Sequence, residues 1–253
     1  MLQELLNTNI FDFLLIFTRV GSAMGVMPGF SAPYVSLRAR LILALTVSFA
    51  MMPMIAPHLP AMPAAPANLA LLLGGEAIVG LFLGLIPFIL MAALQTAGTV
   101  FSFVSSLSNA FVVDPVVEQQ SSILSSFMGI TAITLIFVTN LHYWMLSAIV
   151  DSYTLFVPGQ VLPWGDMAQT MGRVTMDSFA LGIQLSSPLL VAGLAYYIGL
   201  GLLGRLMPQL PVFFFGLPVQ VTMQISLLMI TISGIMLVFL RHFQDGLTRF
   251  LSP

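Results

Sequence analysis

Apolar residues in this chain come in unbroken runs, separated by proline, glycine and small polar residues, with little alternation of the kind a half-buried strand shows. Six runs read as helices in an apolar surrounding, where about 20 residues cross a bilayer. They are Ile10–Met27, Leu41–Ile55, Leu69–Val104, Ile123–Val150, Phe179–Leu206 and Val219–Leu240. The third is far longer than one span needs and carries Pro87 mid-run, so it reads as one long bent helix or as a helical pair.

Breakers punctuate the runs. The Pro28–Arg40 connection separates the first two, and the Pro57–Pro66 stretch reads as an extended external linker. A polar loop, Ser105–Ser122, holds the pair Asp114-Pro115. The Val157–Gly165 connection precedes the fifth run. Between the last two lies Met207–Pro218, whose three prolines argue against a regular helix while its Phe213-Phe214-Phe215 triplet argues against water. It reads either as a re-entrant or protein-buried connector, or as a turn at the membrane surface with its aromatics among headgroups.

Composition then settles the class. Of 253 residues, 58% are apolar and 6% charged, and all seven basic residues are arginine. So few charges cannot clothe a globule of this size in a hydrated surface, so the chain is expected to be an all-α membrane protein with lipid or other apolar helices as its solvent. The net charge of −2 gives no reason to expect nucleic acid. Glu4 and Asp12 near the start, without a basic stretch, do not read as a cleaved signal peptide. Arginines flank connections that strict alternation of six spans would place on opposite sides, so the positive-inside rule fails to orient the chain.

Candidate chemistry is sparse. Cysteine is absent, and His58, His142 and His242 lie in unrelated segments with no H-E-x-x-H pair. No nucleophile elbow or phosphate loop is present, so nothing points to an enzyme, a cofactor or a metal. Gly199-x-Gly201-x-x-Gly204 matches the dinucleotide fingerprint literally, but it sits inside an apolar helix without the required strand or acidic residue. Its glycines read instead as a site of close helix approach. Glu76, Gly80 and Gly84 share one helix face. A carboxylate there must face protein, water or a partner, as a relay or as a buried anchor. Asp12 and Arg19 lie on one face but about 10 Å apart along the axis, so each is expected to meet another helix, another chain or the interface. In the Ser105–Ser122 loop, small polar residues surround an apolar centre, Phe111-Val112-Val113. Such a segment could block a conduit, although on the residues alone an ordinary connector is favoured.

Several blocks together carry a resemblance. Arg19 and Pro28 precede Pro33-Tyr34-Val35-Ser36-Leu37-Arg38, and Glu76 leads into Gly80 and Gly84. Ala110 runs through to Asp114-Pro115, and the last block holds Ser187-Pro188, Gly201, Gly204-Arg205, Pro208-Gln209 and Gly216-Leu217-Pro218. In these the chain resembles, along essentially its whole length, the FliR family of flagellar biosynthetic membrane proteins and its injectisome counterpart, the export-apparatus T subunit. Pro211 departs from the family's usual Asn.

The resemblance implies a non-enzymatic pore subunit of the type III protein-export gate. Its partly kinked helices would be arranged as hairpins within a helical hetero-oligomeric pore, in the bacterial inner membrane at the flagellar basal body. It implies a P-subunit-like part over 1–175 and a Q-subunit-like hairpin over 176–253. FliP, FliQ, FlhB and FlhA are the implied partners, and unfolded rod, hook and filament proteins the implied cargo. The loop within 106–117 becomes a pore plug: Ser106, Leu107, Ser108, Asn109, Ala110, Phe111, Val112, Val113, Asp114 and Pro115, with the three central apolar residues as the occluding group. Arg19, Glu76, Gly80, Gly84, Arg205 and Pro208 become assembly and packing residues. The alternative from another class is a self-contained ion-coupled secondary transporter using Glu76, Asp151 or Asp177.

Overall fold

The computed structural model describes residues 2–106, 111–113, 120–209 and 212–248. Seven α-helices dominate it: α1 Leu2–Met24, α2 Leu37–Ile55, α3 Pro66–Val104, α4 Ile123–Val138, α5 Leu141–Leu155, α6 Trp164–Leu206 and α7 Val212–Thr248. One short antiparallel hairpin joins β1, Phe111–Val113, to β2, Gln120–Ser122, with Val112 opposite Ser121. The all-α expectation holds apart from this hairpin.

Local chemistry accounts for several boundaries. Ser36 caps α2 by accepting from the Ala39 backbone N–H at 3.3 Å. Pro66 opens α3, where a missing N–H costs nothing. Pro87 does not divide the third run: α3 is continuous over 39 residues. The fourth run does divide. Asn140 adopts a left-handed backbone (φ 61), and α4 and α5 meet at 74°. Prolines 53, 188 and 218 likewise lie inside helices. The Met207–Pro218 connector is therefore shorter than its prolines suggest, because α7 already begins at Val212.

By length and composition, α2, α3, α6 and the part of α7 from Phe215 can each cross a membrane, and the bent α4–α5 pair makes a fifth candidate. Six spans were expected. The helix outside this set is α1, which carries Glu4, Asp12 and Arg19.

The chain forms two compact units. The first takes in residues through Leu90, Ile136–Val174 and the chain from Phe243 onward. Its core draws on Leu15, Ile16, Val20 and Met24 of α1, Val79 and Ile86 of α3, and Met145 and Ile149 of α5, all nearly or wholly enclosed. The second takes in Met91–Leu135 and Thr175–His242. Leu94, Ala97 and Phe101 of α3 are buried there, with Met128 and Ala132 of α4, Leu189 of α6 and Phe239 of α7. In that unit Gly98 lets α3 and α4 touch, since a Cβ on Gly98 would fall 2.5 Å from Ser125 Cα. Serines complete the contact: Ser125 donates Oγ to the Gln95 carbonyl at 2.9 Å, and Ser122 accepts the Ser125 N–H at 3.1 Å.

Candidate functional site

In the first unit three helices meet at one ion pair. Arg19 of α1 donates Nε to Glu76 Oε2 at 2.6 Å and Nη2 to Glu76 Oε1 at 2.9 Å. It also donates Nη1 to Ser152 Oγ of α5 at 3.0 Å and Nη2 to the Phe156 carbonyl at 2.9 Å. The Tyr153 ring lies under the guanidinium, 3.8 Å from carbon to centroid. Arg19 is fully buried and Glu76 is 3% exposed. Two charges so enclosed are tolerable only when their hydrogen-bonding capacity is met, and the planar fork of arginine meets a carboxylate in two bonds.

The glycines on the Glu76 face let α1 approach. A Cβ on Gly80 would run into the Arg19 carbonyl and Ser22 Oγ, and one on Gly84 would lie 2.5 Å from the Ala23 carbonyl oxygen. Spacing by four thus sets one carboxylate and two backbone contacts along a single seam. Beside the pair opens a pocket of about 800 Å³, walled by Asn68, Leu71, Gly75, Val157, Gln160 and Trp164. Both carboxylate oxygens of Glu76 are engaged by Arg19, the arrangement of an anchor.

The remaining plug and packing residues expected from the sequence, where described, lie in the second unit. Ser106 follows the end of α3 in a left-handed conformation (φ 59), its hydroxyl 3.2 Å from that of Tyr197. Phe111, Val112 and Val113 form β1; Leu107, Ser108, Asn109, Ala110, Asp114 and Pro115 fall outside the described residues. Arg205, in the last turn of α6, and Pro208 just beyond it are exposed. The helix approach expected at Gly199, Gly201 and Gly204 is not made within this chain: among the described residues nothing comes within 4 Å of a Cβ built on any of them. No group of three or more His, Asp or Glu side chains converges as a metal would need, again among the described residues.

Sequence reasoning missed Ser152, Tyr153, Tyr197 and Gln220. The last was discoverable. Gln220 and Gln224 stand one turn apart in the apolar α7, and both are 1% exposed. Buried amides in such a helix are expected to bond across to neighbours.

Long apolar helices, internal prolines and an enclosed arginine–carboxylate pair define a helical membrane protein. Its sequence then narrows the class. The chain belongs to the family described as bacterial export proteins, family 1, which it matches over residues 10–246. It is 32% identical to the flagellar biosynthetic protein FliR of Caulobacter vibrioides over 236 residues, covering 93% of this chain and 94% of that one. It is also 32% identical to FliR of Escherichia coli, with coverage of 83% and 80%. The Yop proteins translocation protein T of Yersinia pestis is 29% identical, with coverage of 64% and 63%.

Proposed function

We propose that this chain is a non-enzymatic pore subunit of the flagellar type III protein-export gate. It would conduct unfolded rod, hook and filament proteins across the bacterial inner membrane at the basal body. The observation that carries this reading is the family match along nearly the whole chain, joined by relatives named for flagellar biosynthesis and for protein translocation. The exposed faces of the long helices support it. Only 17% of the most apolar stretch of α6 and 28% of that of α7 are buried within this chain, which suits helices that seat against other subunits or lipid. On this reading 1–175 forms the P-like part and 176–253 the Q-like hairpin. FliP and FliQ surround it, FlhB joins the complex, and FlhA lies nearby.

The mechanism is gating. The loop spanning 106–117, with Phe111, Val112 and Val113 at its centre, shuts the resting lumen to water and ions until a substrate displaces it, as apolar constrictions do elsewhere. Arg19, Glu76, Gly80 and Gly84 hold the subunit in its assembling shape, and Arg205 with Pro208 shapes the turn into the hairpin's second helix. Deleting Ser106–Val113 is expected to raise ion conductance through the reconstituted assembly. Unaltered conductance removes the plug assignment, and purification as a stable single-chain carrier of small solutes removes the pore reading altogether.

A further inference from the structure

The end of α3 is held from outside its own helix. The last carbonyls of any helix lack an intrahelical partner, and Val104 contributes one of them. Gln220 of α7 donates Nε2 to that carbonyl at 2.6 Å, and the same amide reaches the Tyr197 hydroxyl of α6 at 2.8 Å. The Tyr197 hydroxyl in turn shares a hydrogen bond with Ser106 Oγ at 3.2 Å. One chain of three side chains therefore ties α6 and α7 to the two ends of the Val104–Ser106 turn.

Three further observations show that this junction is specified. A non-glycine residue at positive φ costs on the order of 1 kcal/mol and persists only where its surroundings enforce it, and Ser106 is such a residue. Gly193 brings α6 flat against the junction, because a Cβ there would run into Val104 Cγ1 and lie 3.0 Å from Gln224 Nε2. Tyr197 is 44% exposed, so packing alone does not call for its hydroxyl, yet that hydroxyl bonds Ser106 of this turn and Gln220, the residue that holds the Val104 carbonyl.

We infer that Tyr197 and Gln220 are positioning residues for the Val104–Ser106 turn from which the candidate plug loop departs, making the conformation of that turn depend on the placement of α6 and α7. The inference rests on the reading of that loop as the closure of the pore. A displacement of α7 from α3 breaks the bond to Val104, and a displacement of α6 breaks the bond to Ser106.

The test uses the assembled export complex with Tyr197→Phe and Gln220→Met, both close in volume to the native residues. Tyr196→Phe is the control: it removes an equally short bond, from the Tyr196 hydroxyl to the Gly216 carbonyl at 2.6 Å, which ties α6 to α7 without engaging Val104 or Ser106. Loss of one hydrogen bond worth about 1.4 kcal/mol corresponds to about a tenfold shift in an opening equilibrium. Both test variants should therefore speed amide exchange at residues 105 and 106 and raise ion leak by about that factor, while the control changes neither. Faster exchange without leak overturns the inference, provided the Ser106–Val113 deletion does leak. So does equal leak from Tyr196→Phe. A deletion that does not leak instead removes the plug reading, and exchange alone then decides whether the junction is held. Should Gln220→Met fail to assemble, Tyr197→Phe, which keeps the ring, decides the matter.

Discussion

Arg19 and Glu76, 57 positions apart, share two hydrogen bonds of 2.6 and 2.9 Å while neither is more than 3% exposed. The pair joins α1 to α3, and Ser152 extends it to α5. Removing one partner from such a pair leaves a buried charge uncompensated, typically at about 3–5 kcal/mol. Arg19→Ala and Glu76→Gln should each sharply lower the yield of assembled complex, read by co-purification with its neighbouring subunits. Arg19→Lys should rescue only in part, since an ammonium cannot offer the two-pronged geometry. Full recovery with lysine would show that charge alone matters there.

Gly84 and Gly129 make a matched pair for testing backbone proximity. A side chain at Gly84 would collide with the Ala23 carbonyl, whereas nothing among the described residues lies within 4 Å of a Cβ on Gly129. Gly84→Val is expected to separate α1 from α3 and abolish detergent-stable folding. Gly129→Ala should be neutral or stabilising, by up to about 1 kcal/mol, because it removes a helix-interior glycine. Thermal unfolding of the purified chain distinguishes them.

The contact between α3 and α4 gives a third expectation. Gly98→Val would press against the Ser125 backbone, and the Ser122 and Ser125 hydrogen bonds would part with it. The expected result is faster amide exchange at the start of α4, with the ion pair of the first unit and its protection unchanged.

Gln220 and Gln224 should differ when each is made apolar. The Gln224 amide donates to the Leu189 carbonyl at 3.3 Å, while its Oε1 is buried without a partner. Gln220 makes two shorter bonds, at 2.6 and 2.8 Å. Replacing a group that is already half unsatisfied costs less than orphaning a satisfied carbonyl, so Gln224→Met should be the milder change by about 1 kcal/mol. Melting temperatures of the two variants in one detergent decide it.

The helices themselves were written plainly in the apolar runs, and α2 and α3 end where those runs end. Three features escaped for identifiable reasons. The break at Asn140 sits inside what reads as one long apolar run, where the polar Thr139-Asn140 pair, His142 and an asparagine's tolerance of left-handed backbone are the hints of it. Met207–Pro218 promised a non-helical segment, yet α7 runs through Pro218, and the Tyr196 hydroxyl binds the nearby Gly216 carbonyl; proline in an apolar helix is accommodated by neighbours that local sequence does not reveal. The polar start of α6, from Trp164, lay outside the apolar run that marked the rest of that helix. At the site, the Glu76–Gly80–Gly84 face was readable as a periodicity. Its partner was not, because a tertiary pairing leaves no trace in spacing.

The enclosure of Arg19 also bears on the order in which the protein is made. A bare guanidinium is costly among hydrocarbon tails, and its carboxylate belongs to a helix translated later, its serine to one later still. The first helix therefore gains the partners of its enclosed arginine only after the third and fifth have been made.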